Sequence, residues 1–184
     1  MPRKAVVIFQ FLLAGVVLLS LSGCQTPSQA GERPNFLIIV TDDQRYDTMD
    51  VMPNTQRLIF DQGVTFERGY VTTPLCCPSR SSILTGMYAH NHGVRENEDR
   101  LNHTTFVEIM HANGYYTGLV GKYLNSWKGE MRPEYDYWVS YFRGETVYYR
   151  PDLNVNGEWV RHGEDEYVTY LLGDYAVQFL DQAA

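Results

Sequence analysis

A short segment near the middle of the chain carries the residue types best suited to chemistry. It reads Cys76-Cys77-Pro78-Ser79-Arg80. Pro78 predicts a helix start, which places Cys76 just before the first turn, where free N–H groups and the positive dipole end bind sulfate or phosphate. Arg80 could bind the same oxyanion or steady the group at position 76. A loop with buried thiols and a solvent-facing arginine fits this spacing equally well.

Charged residues also follow two predicted strands. Residues 36–40 form an apolar, β-branched run typical of a strand buried on both faces, and Asp42 and Asp43 come directly after it. Lys122 follows a second predicted strand over residues 115–121. Ligands of parallel sheets bind beyond the carboxyl ends of the strands, so one shared site is expected there. The paired aspartates could bind Ca²⁺ or Mg²⁺ through oxygen, or could simply cap a polar turn.

The remaining elements alternate in a way that predicts an α/β fold with parallel strands. Residues 123–163, rich in Tyr, Trp, Gly and Pro, predict loops and short strands. Further predicted elements are a helix over 53–63, a strand over 64–72, a short helix over 78–85 ended by Gly86, a helix opened by the capping box Thr105-x-x-Glu108 and ended by Gly114, and an amphipathic helix over 164–182.

The first residues have the pattern of an export signal. Arg3 and Lys4 precede an apolar run over 5–19, and Leu-Ser-Gly-Cys ends at Cys24. This order resembles the lipobox of bacterial lipoproteins, which implies a signal peptide over 1–23, cleavage before a lipidated Cys24, and a polar tether over 24–34. A plain secretory signal or a short membrane anchor is the alternative. The expected location is exported and membrane-anchored, on the periplasmic or cell-surface side.

Composition restricts the possible functions. The chain has 184 residues, 44% hydrophobic and 20% charged, which is the composition of a soluble globular domain and excludes collagen-like, coiled-coil and disordered chains. A net charge of −7 argues against a broad nucleic-acid surface. Cys76 and Cys77 are adjacent and do not form a disulfide framework.

Five motifs follow one another along the chain: PNFLIIVTDD at 34–43, CCPSRSSILTG at 76–86, Tyr88-x-His90-x-x-Gly93, GYYTG at 114–118 and GKYLN at 121–125. In this order they resemble the type I sulfatases, and the CCPSR and GKYLN forms are most similar to the N-acetylglucosamine-6-sulfatase branch. The resemblance implies an alkaline-phosphatase-like α/β sandwich with a mostly parallel sheet flanked by helices. Residues 35–184 would be the N-terminal portion of that catalytic domain, truncated on its C-terminal side.

The resemblance also implies a mechanism. A formylglycine-generating enzyme would convert Cys76 to formylglycine, whose hydrate has two hydroxyls on one carbon. One attacks sulfur and expels the alcohol; the other then drives out sulfate and restores the aldehyde. Asp42, Asp43 and the modified Cys76 would hold Ca²⁺, or alternatively Mg²⁺, while Arg80 holds the hydrate and Lys122 binds the sulfate. The implied substrates are sulfated glycans such as 6-sulfated N-acetylglucosamine.

The sequence departs from the family in two ways. Many members have a histidine where this chain has Leu124, although the GKYLN branch shares that departure. Members usually run to several hundred residues, with a second metal-ligand pair, another Lys and a His in the later half, so an inactive lipoprotein fragment is one alternative. A phosphate or phosphonate ester hydrolase of the same fold is another. The HNH tripeptide at 90–92 predicts a structural or pocket-lining role for His90 and His92, and His111 is expected at the surface.

Overall fold

The computed structural model describes residues 33–184, which fall in two units: the first ends at Asp43, and the second spans Gln44–Ala184. The predicted signal peptide, Cys24 and all but the last residues of the predicted tether lie outside the described residues. Among residues 33–184, none of the helices combines the length and apolar character needed to cross a bilayer.

The described part of the first unit corrects one prediction. Residues 36–40 form no strand, and their side chains are 45–66% exposed. A strand is stabilised by backbone hydrogen bonds to a neighbouring strand, and residues 33–43, taken by themselves, contain none. Asp42 and Asp43 therefore follow an exposed segment without regular secondary structure and not a buried strand.

The second unit places a small sheet among helices. Its five α-helical segments are α1 (Pro53–Thr55, continued by a π-helical turn over Gln56–Phe60), α2 (Cys76–Thr85), α3 (Ala89–His92), α4 (Phe106–Ala112) and α5 (Val168–Ala183). Its strands are β1 (Gly118–Val120), β2 (Tyr137–Ser140), β3 (Asp152–Val155) and β4 (Glu158–Arg161), and 3₁₀ helices span Tyr46–Val51 and Phe142–Gly144.

The sheet has the order β1-β2-β3-β4. β1 and β2 are parallel, with Gly118 opposite Tyr137, whereas β2–β3 and β3–β4 are antiparallel. The last pair is a tight hairpin closed by Asn156 and Gly157, both with positive φ, and strands joined by two residues must run antiparallel. The predicted α/β class is confirmed, and within residues 33–184 the expectation of mostly parallel strands is met by the β1–β2 pair alone.

Strand β2 is buried along its whole length because both faces of the sheet are covered. On one face Tyr137 and Val139 pack with α5, where the Phe179 ring lies against Gly118; an added Cβ at Gly118 would come within 2.4 Å of that ring. On the other face Trp138, with no exposed surface, joins the core that includes Cys77 of α2. Successive side chains of β2 point to opposite faces of the sheet, so this strand packs against α5 on one face and contributes to the core with α2 on the other.

Most predicted helices are confirmed in kind. Pro53 opens α1, and Thr105 and Glu108 form the complete capping box of α4. The amphipathic helix begins at Val168, four residues later than predicted, because Tyr167 is extended and bridges to Tyr149. Its predicted apolar face does pack on the sheet.

Two predicted strands differ from the structure. The strand over 64–72 was a wrong prediction, since these residues are irregular and Val64, Phe66 and Val71 are at least 70% exposed. Their alternating apolar residues meet no neighbouring strand within the second unit. The strand over 115–121 exists but is limited to Gly118–Val120, the residues that pair with β2.

Candidate active site

Cys76 is the first residue of α2, so the helix begins two residues earlier than the predicted range of 78–85. The helix begins after Leu75, whose backbone is extended and whose carbonyl accepts the N–H of Ser79 at 3.0 Å. Pro78 is therefore the third helical residue, where its missing N–H is tolerated because first-turn amides have no intrahelical partner. Gly86, with φ of 69°, ends the helix as predicted. Cys76 is half-buried, while Cys77 is fully buried.

Cys77 connects α2 to two other segments. Its N–H donates to Asn97 Oδ1 at 3.0 Å, and its thiol donates to the Asn97 carbonyl at 3.2 Å. The thiol sulfur in turn accepts the N–H of Asn125 at 3.0 Å. The residue following Cys76 is thus a structural contact between α2, the segment after α3 and the GKYLN segment, a role that the sequence interpretation missed.

Arg80 and Lys122 are brought together by the fold. Arg80 Nη1 donates to the backbone carbonyl of Lys122 at 2.7 Å. Lys122 comes two residues after the end of β1, as predicted, and Arg80 lies one helical turn after Cys76. A guanidinium held by a carbonyl has a fixed orientation, so its remaining N–H donors have defined directions.

The residues after Lys122 anchor it to the core. Tyr123 and Leu124 are each 3% exposed. The Tyr123 ring packs edge-on against Trp138 at 5.5 Å, and the Arg132 guanidinium lies 5.8 Å from its centroid. Burial raises the pKa of the Tyr123 hydroxyl to about 12, so this group stays protonated at neutral pH. The backbone of the half-buried Lys122 is thus fixed by the buried residues that follow it.

Gly144 lies against the Lys122 side chain. A Cβ added at Gly144 would come within 3.1 Å of Lys122 Cε and 3.3 Å of Lys122 Cγ, and its φ of 67° is one that glycine adopts without strain. The preceding Arg143 also has a positive φ of 53°. The segment around Gly144 therefore approaches the lysine more closely than a larger residue would allow.

A polar cavity of about 260 Å³ lies beside this segment. It is lined by Asn97, Glu98, Asn125, Arg143 and Glu145. Sequence reasoning missed it, because its residues come from three segments with no shared spacing; only Asn125, within GKYLN, lay in a motif.

The two histidines near α2 have different surroundings. His92 is 3% exposed; its Nδ1 accepts the N–H of Val94 at 3.1 Å, which leaves Nε2 as the protonated nitrogen facing Ser82 Oγ at 3.0 Å. Burial, with His103 as a smaller cause, lowers the pKa of His92 below its ordinary value of 6.5. His90 is exposed and stacks on Tyr88 at 5.7 Å.

Two further histidines, His111 and His162, have partners that hold them in the fold. His111 is half-buried, with Nδ1 3.3 Å from Asp136 Oδ2, so it is less superficial than expected. His162 is buried between the Pro151 carbonyl and the Tyr175 hydroxyl, at 3.2 and 3.1 Å. It holds the end of β4 against α5.

Asp42 and Asp43 end the first unit. Both are exposed, and Asp43 has a positive φ of 53°. Carboxylate oxygens are the donors that Ca²⁺ and Mg²⁺ prefer, so the chemistry of the pair fits such an ion. Two carboxylates supply fewer than the six to eight oxygens that Ca²⁺ takes, so further ligands must complete a site.

Comparison with protein-family models decides the family. Residues 34–184 match the family described as Sulfatase. The chain belongs to the sulfatase family. The resemblance of its ordered motifs to sulfatases is thereby confirmed.

Individual sulfatases are similar over much of the chain. It is 39% identical over 163 residues to "Extracellular sulfatase SULF-1 homolog" of Drosophila melanogaster, covering 80% of this chain and 14% of that protein. It is 35% identical over 193 residues to the human "N-acetylglucosamine-6-sulfatase", covering 90% of this chain and 35% of that protein. The chain therefore spans between about a seventh and slightly more than a third of the length of these two relatives.

A solved sulfatase structure shares the fold. BT4656, solved in complex with its substrate D-glucosamine-2-N,6-O-disulfate, superposes with a TM-score of 0.62 at 29% identity over 72% of this chain and 26% of that one. In this sulfatase chain, the predicted site residues Cys76, Arg80 and Lys122 all belong to the second unit, where α2 and the GKYLN segment meet.

Proposed function

We propose that this protein is a sulfuric ester hydrolase that cleaves sulfate esters of glycans, with 6-sulfated N-acetylglucosamine as the model substrate. The observation that carries the proposal is the 2.7 Å bond from Arg80 to the Lys122 carbonyl, since it joins the cysteine helix to the lysine segment of a sulfatase-family chain. The names of the human relative and of the BT4656 complex support a sulfated amino sugar.

In this proposal each site residue has one role. Cys76, after conversion to formylglycine by a formylglycine-generating enzyme, supplies a geminal diol as the nucleophile. Arg80 holds that diol, and the Lys122 ammonium binds the sulfate oxygens. A free thiol is a poor nucleophile for a sulfate ester, which is why the conversion is needed. After one hydroxyl of the diol has taken up the sulfate, the second hydroxyl expels it and restores the aldehyde. Water therefore does not have to attack a stable sulfate ester.

We further propose Asp42 and Asp43 as ligands of a divalent cation, Ca²⁺ or Mg²⁺, with the modified Cys76 as a third ligand. This assignment rests on the resemblance of the motifs and on the oxygen-donor chemistry of the pair. When bound, such an ion supplies a Lewis acid that polarises sulfate oxygens. The protein's own residues supply the nucleophile and the anion contacts.

The proposed location is outside the cytoplasm. The Leu-Ser-Gly-Cys pattern at Cys24 supports a lipid anchor, and the fly relative carries the word extracellular in its name. Labelling cells with a radioactive fatty acid tests the anchor. Incorporation that is lost in Cys24→Ala supports it, and incorporation that survives this change contradicts it.

The decisive experiment combines mass and activity. Peptide mass spectrometry should show Cys76 lighter by about 18 Da, the change from thiol to aldehyde. The protein should hydrolyse an aryl sulfate, and Cys76→Ala should abolish this, while Cys77→Ser retains the mass change at position 76. Parallel assays with the matching phosphate ester separate the two ester classes. Faster phosphate than sulfate hydrolysis would overturn the proposal.

A further inference from the structure

The polar cavity borders the proposed sulfate-binding lysine. Asn125, one of its lining residues, lies three positions after Lys122. Arg143 and Glu145, two others, flank Gly144, whose added Cβ would meet Lys122 Cε at 3.1 Å and Asn125 Cγ at 3.5 Å. Lys122 is not itself a lining residue, but a ligand in the cavity would lie near it, because Gly144 and Asn125 adjoin both.

The wall nearest α2 is held in place by Cys77. Asn97 Oδ1 accepts the Cys77 N–H at 3.0 Å, which fixes the amide plane and leaves the amide NH₂ as donors. Asn125 is held on the same residue through its backbone N–H, which bonds the Cys77 sulfur at 3.0 Å. Two of the five lining residues are thus oriented before any ligand arrives, which lowers the ordering cost of binding.

The charges of the cavity disfavour a second anion. Glu98 and Glu145 contribute two carboxylates against one guanidinium from Arg143, so the lining has a net charge of −1. Carboxylates accept hydrogen bonds from hydroxyl groups and repel sulfate oxygens. The cavity volume of about 260 Å³ is slightly below the ~300 Å³ lower end for drug-sized ligands. A cavity of this size suits a single sugar ring.

We propose that this cavity binds the uncharged hydroxyl groups of the sugar whose sulfate ester lies at Lys122, and that Glu98 and Glu145 select against a second sulfate on that sugar. The inference rests on the proposed function. It makes Glu98 and Glu145 specificity-determining residues: they bind hydroxyl groups that do not react, so they affect substrate affinity more than the chemical step.

The test measures the hydrolysis of three substrates by the protein and its variants. These are an aryl sulfate without a sugar, N-acetylglucosamine-6-sulfate, and glucosamine-2-N,6-O-disulfate. Glu98→Ala and Glu145→Ala should each raise KM for the monosulfated sugar roughly tenfold, the effect of one lost hydrogen bond to a charged group, with little change in kcat or in aryl sulfate turnover. Glu98→Gln and Glu145→Gln, which keep size and remove charge, should shift the kcat/KM ratio towards the disulfate.

Glu158→Gln is the matched control, because it removes the same charge from β4, outside the cavity lining. If the Glu98 and Glu145 variants leave KM and the substrate ratio unchanged while aryl sulfate is still hydrolysed, the cavity inference is wrong and the proposed function stands. An equal shift in Glu158→Gln would also overturn it, since overall charge would then explain the effect. If the protein with modified Cys76 hydrolyses none of the three, both proposals fail.

Discussion

The backbone N–H of Asn125 donates a hydrogen bond to the thiol sulfur of Cys77, 3.0 Å away. These residues are 48 positions apart in the sequence, and each neighbours a proposed catalytic segment: Cys77 follows Cys76, and Asn125 closes the GKYLN segment of Lys122. Cys77 therefore forms a contact that aligns α2, which carries Cys76, with the segment that carries Lys122.

Truncating Cys77 should destabilise the protein. Cys77→Ala removes a fully buried sulfur and leaves the Asn125 N–H without its partner, so we expect a loss of about 1–3 kcal/mol in the free energy of unfolding. Cys77→Ser keeps a donor and an acceptor and should lose less. Urea unfolding at neutral pH measures both changes. Equal stability of Cys77→Ala and wild type would show that the contact contributes nothing.

Replacing Gly144 tests the approach of its segment to Lys122. Gly144→Ala places a Cβ 3.1 Å from Lys122 Cε and also strains a φ of 67°. Gly157→Ala is the matched control, since its φ is 98° and its added Cβ meets nothing within 4 Å. Both variants should lose about 1 kcal/mol of stability from backbone strain.

In assays of sulfate ester hydrolysis, Gly144→Ala alone should reduce activity, because it alone displaces the lysine. Activity and unfolding are measured on the same preparations. Equal activities of Gly144→Ala and Gly157→Ala would mean that the Lys122 position does not depend on the absence of a side chain at Gly144.

Arg80 should not be replaceable by lysine. The Arg80 guanidinium bonds the Lys122 carbonyl at 2.7 Å and can hold the residue at position 76 with its other donors, whereas an ammonium is a single point of charge. We expect Arg80→Lys to reduce kcat on an aryl sulfate roughly 100-fold or more, as for loss of one preorganised donor.

The peptide mass at Cys76 is the control for Arg80→Lys, because a change in the signature could block formylglycine formation instead. The comparison holds only for preparations with equal modification. A fully modified Arg80→Lys protein with wild-type kcat would contradict the role of Arg80.

His92 should make stability fall in mild acid. Its pKa in the folded state lies below the ordinary 6.5, chiefly through burial, so the unfolded chain binds the proton first as pH falls. The contribution of neutral His92 to the free energy of unfolding is complete above pH 6.5. It is lost as the pH falls from 6.5 through the lower pKa of the folded state. His92→Gln removes this titration, so its unfolding free energy should vary less with pH.

Urea unfolding at several pH values from about 7.5 to about 5 compares the two proteins. The difference between the curves isolates His92 from His103 and His162, which both proteins share. Parallel curves over this range would show that His92 protonates as easily in the folded state as in the unfolded chain.

Local signals along the chain predicted much of the fold. The Thr105–Glu108 capping box, Gly86 at the end of α2 and the apolar face of α5 are each decided within a few residues, and each is present. Whether residues 36–40 and 64–72 form strands could not be decided from local sequence. A strand exists only where another strand pairs with it, and residue patterns do not show whether that neighbour is present.

The residues of the candidate site were also predicted in part from local sequence. Residue types and spacing identified Cys76, Arg80 and Lys122, because motif chemistry is written in consecutive residues. The two-residue error in the start of α2 came from treating Pro78 as the first helical residue, although a proline is tolerated throughout the first turn.

By itself the sequence determined the family, the α/β class and the identity of the proposed nucleophile, arginine and lysine, since these depend on local order along the chain. Only the tertiary structure decided that Arg80 bonds the Lys122 carbonyl, that Cys77 joins two segments, and that a cavity opens between Glu98 and Glu145. The Arg80–Lys122 and Cys77–Asn125 contacts join residues more than 40 positions apart, and the free energy of packing selects them in a way that no local pattern encodes.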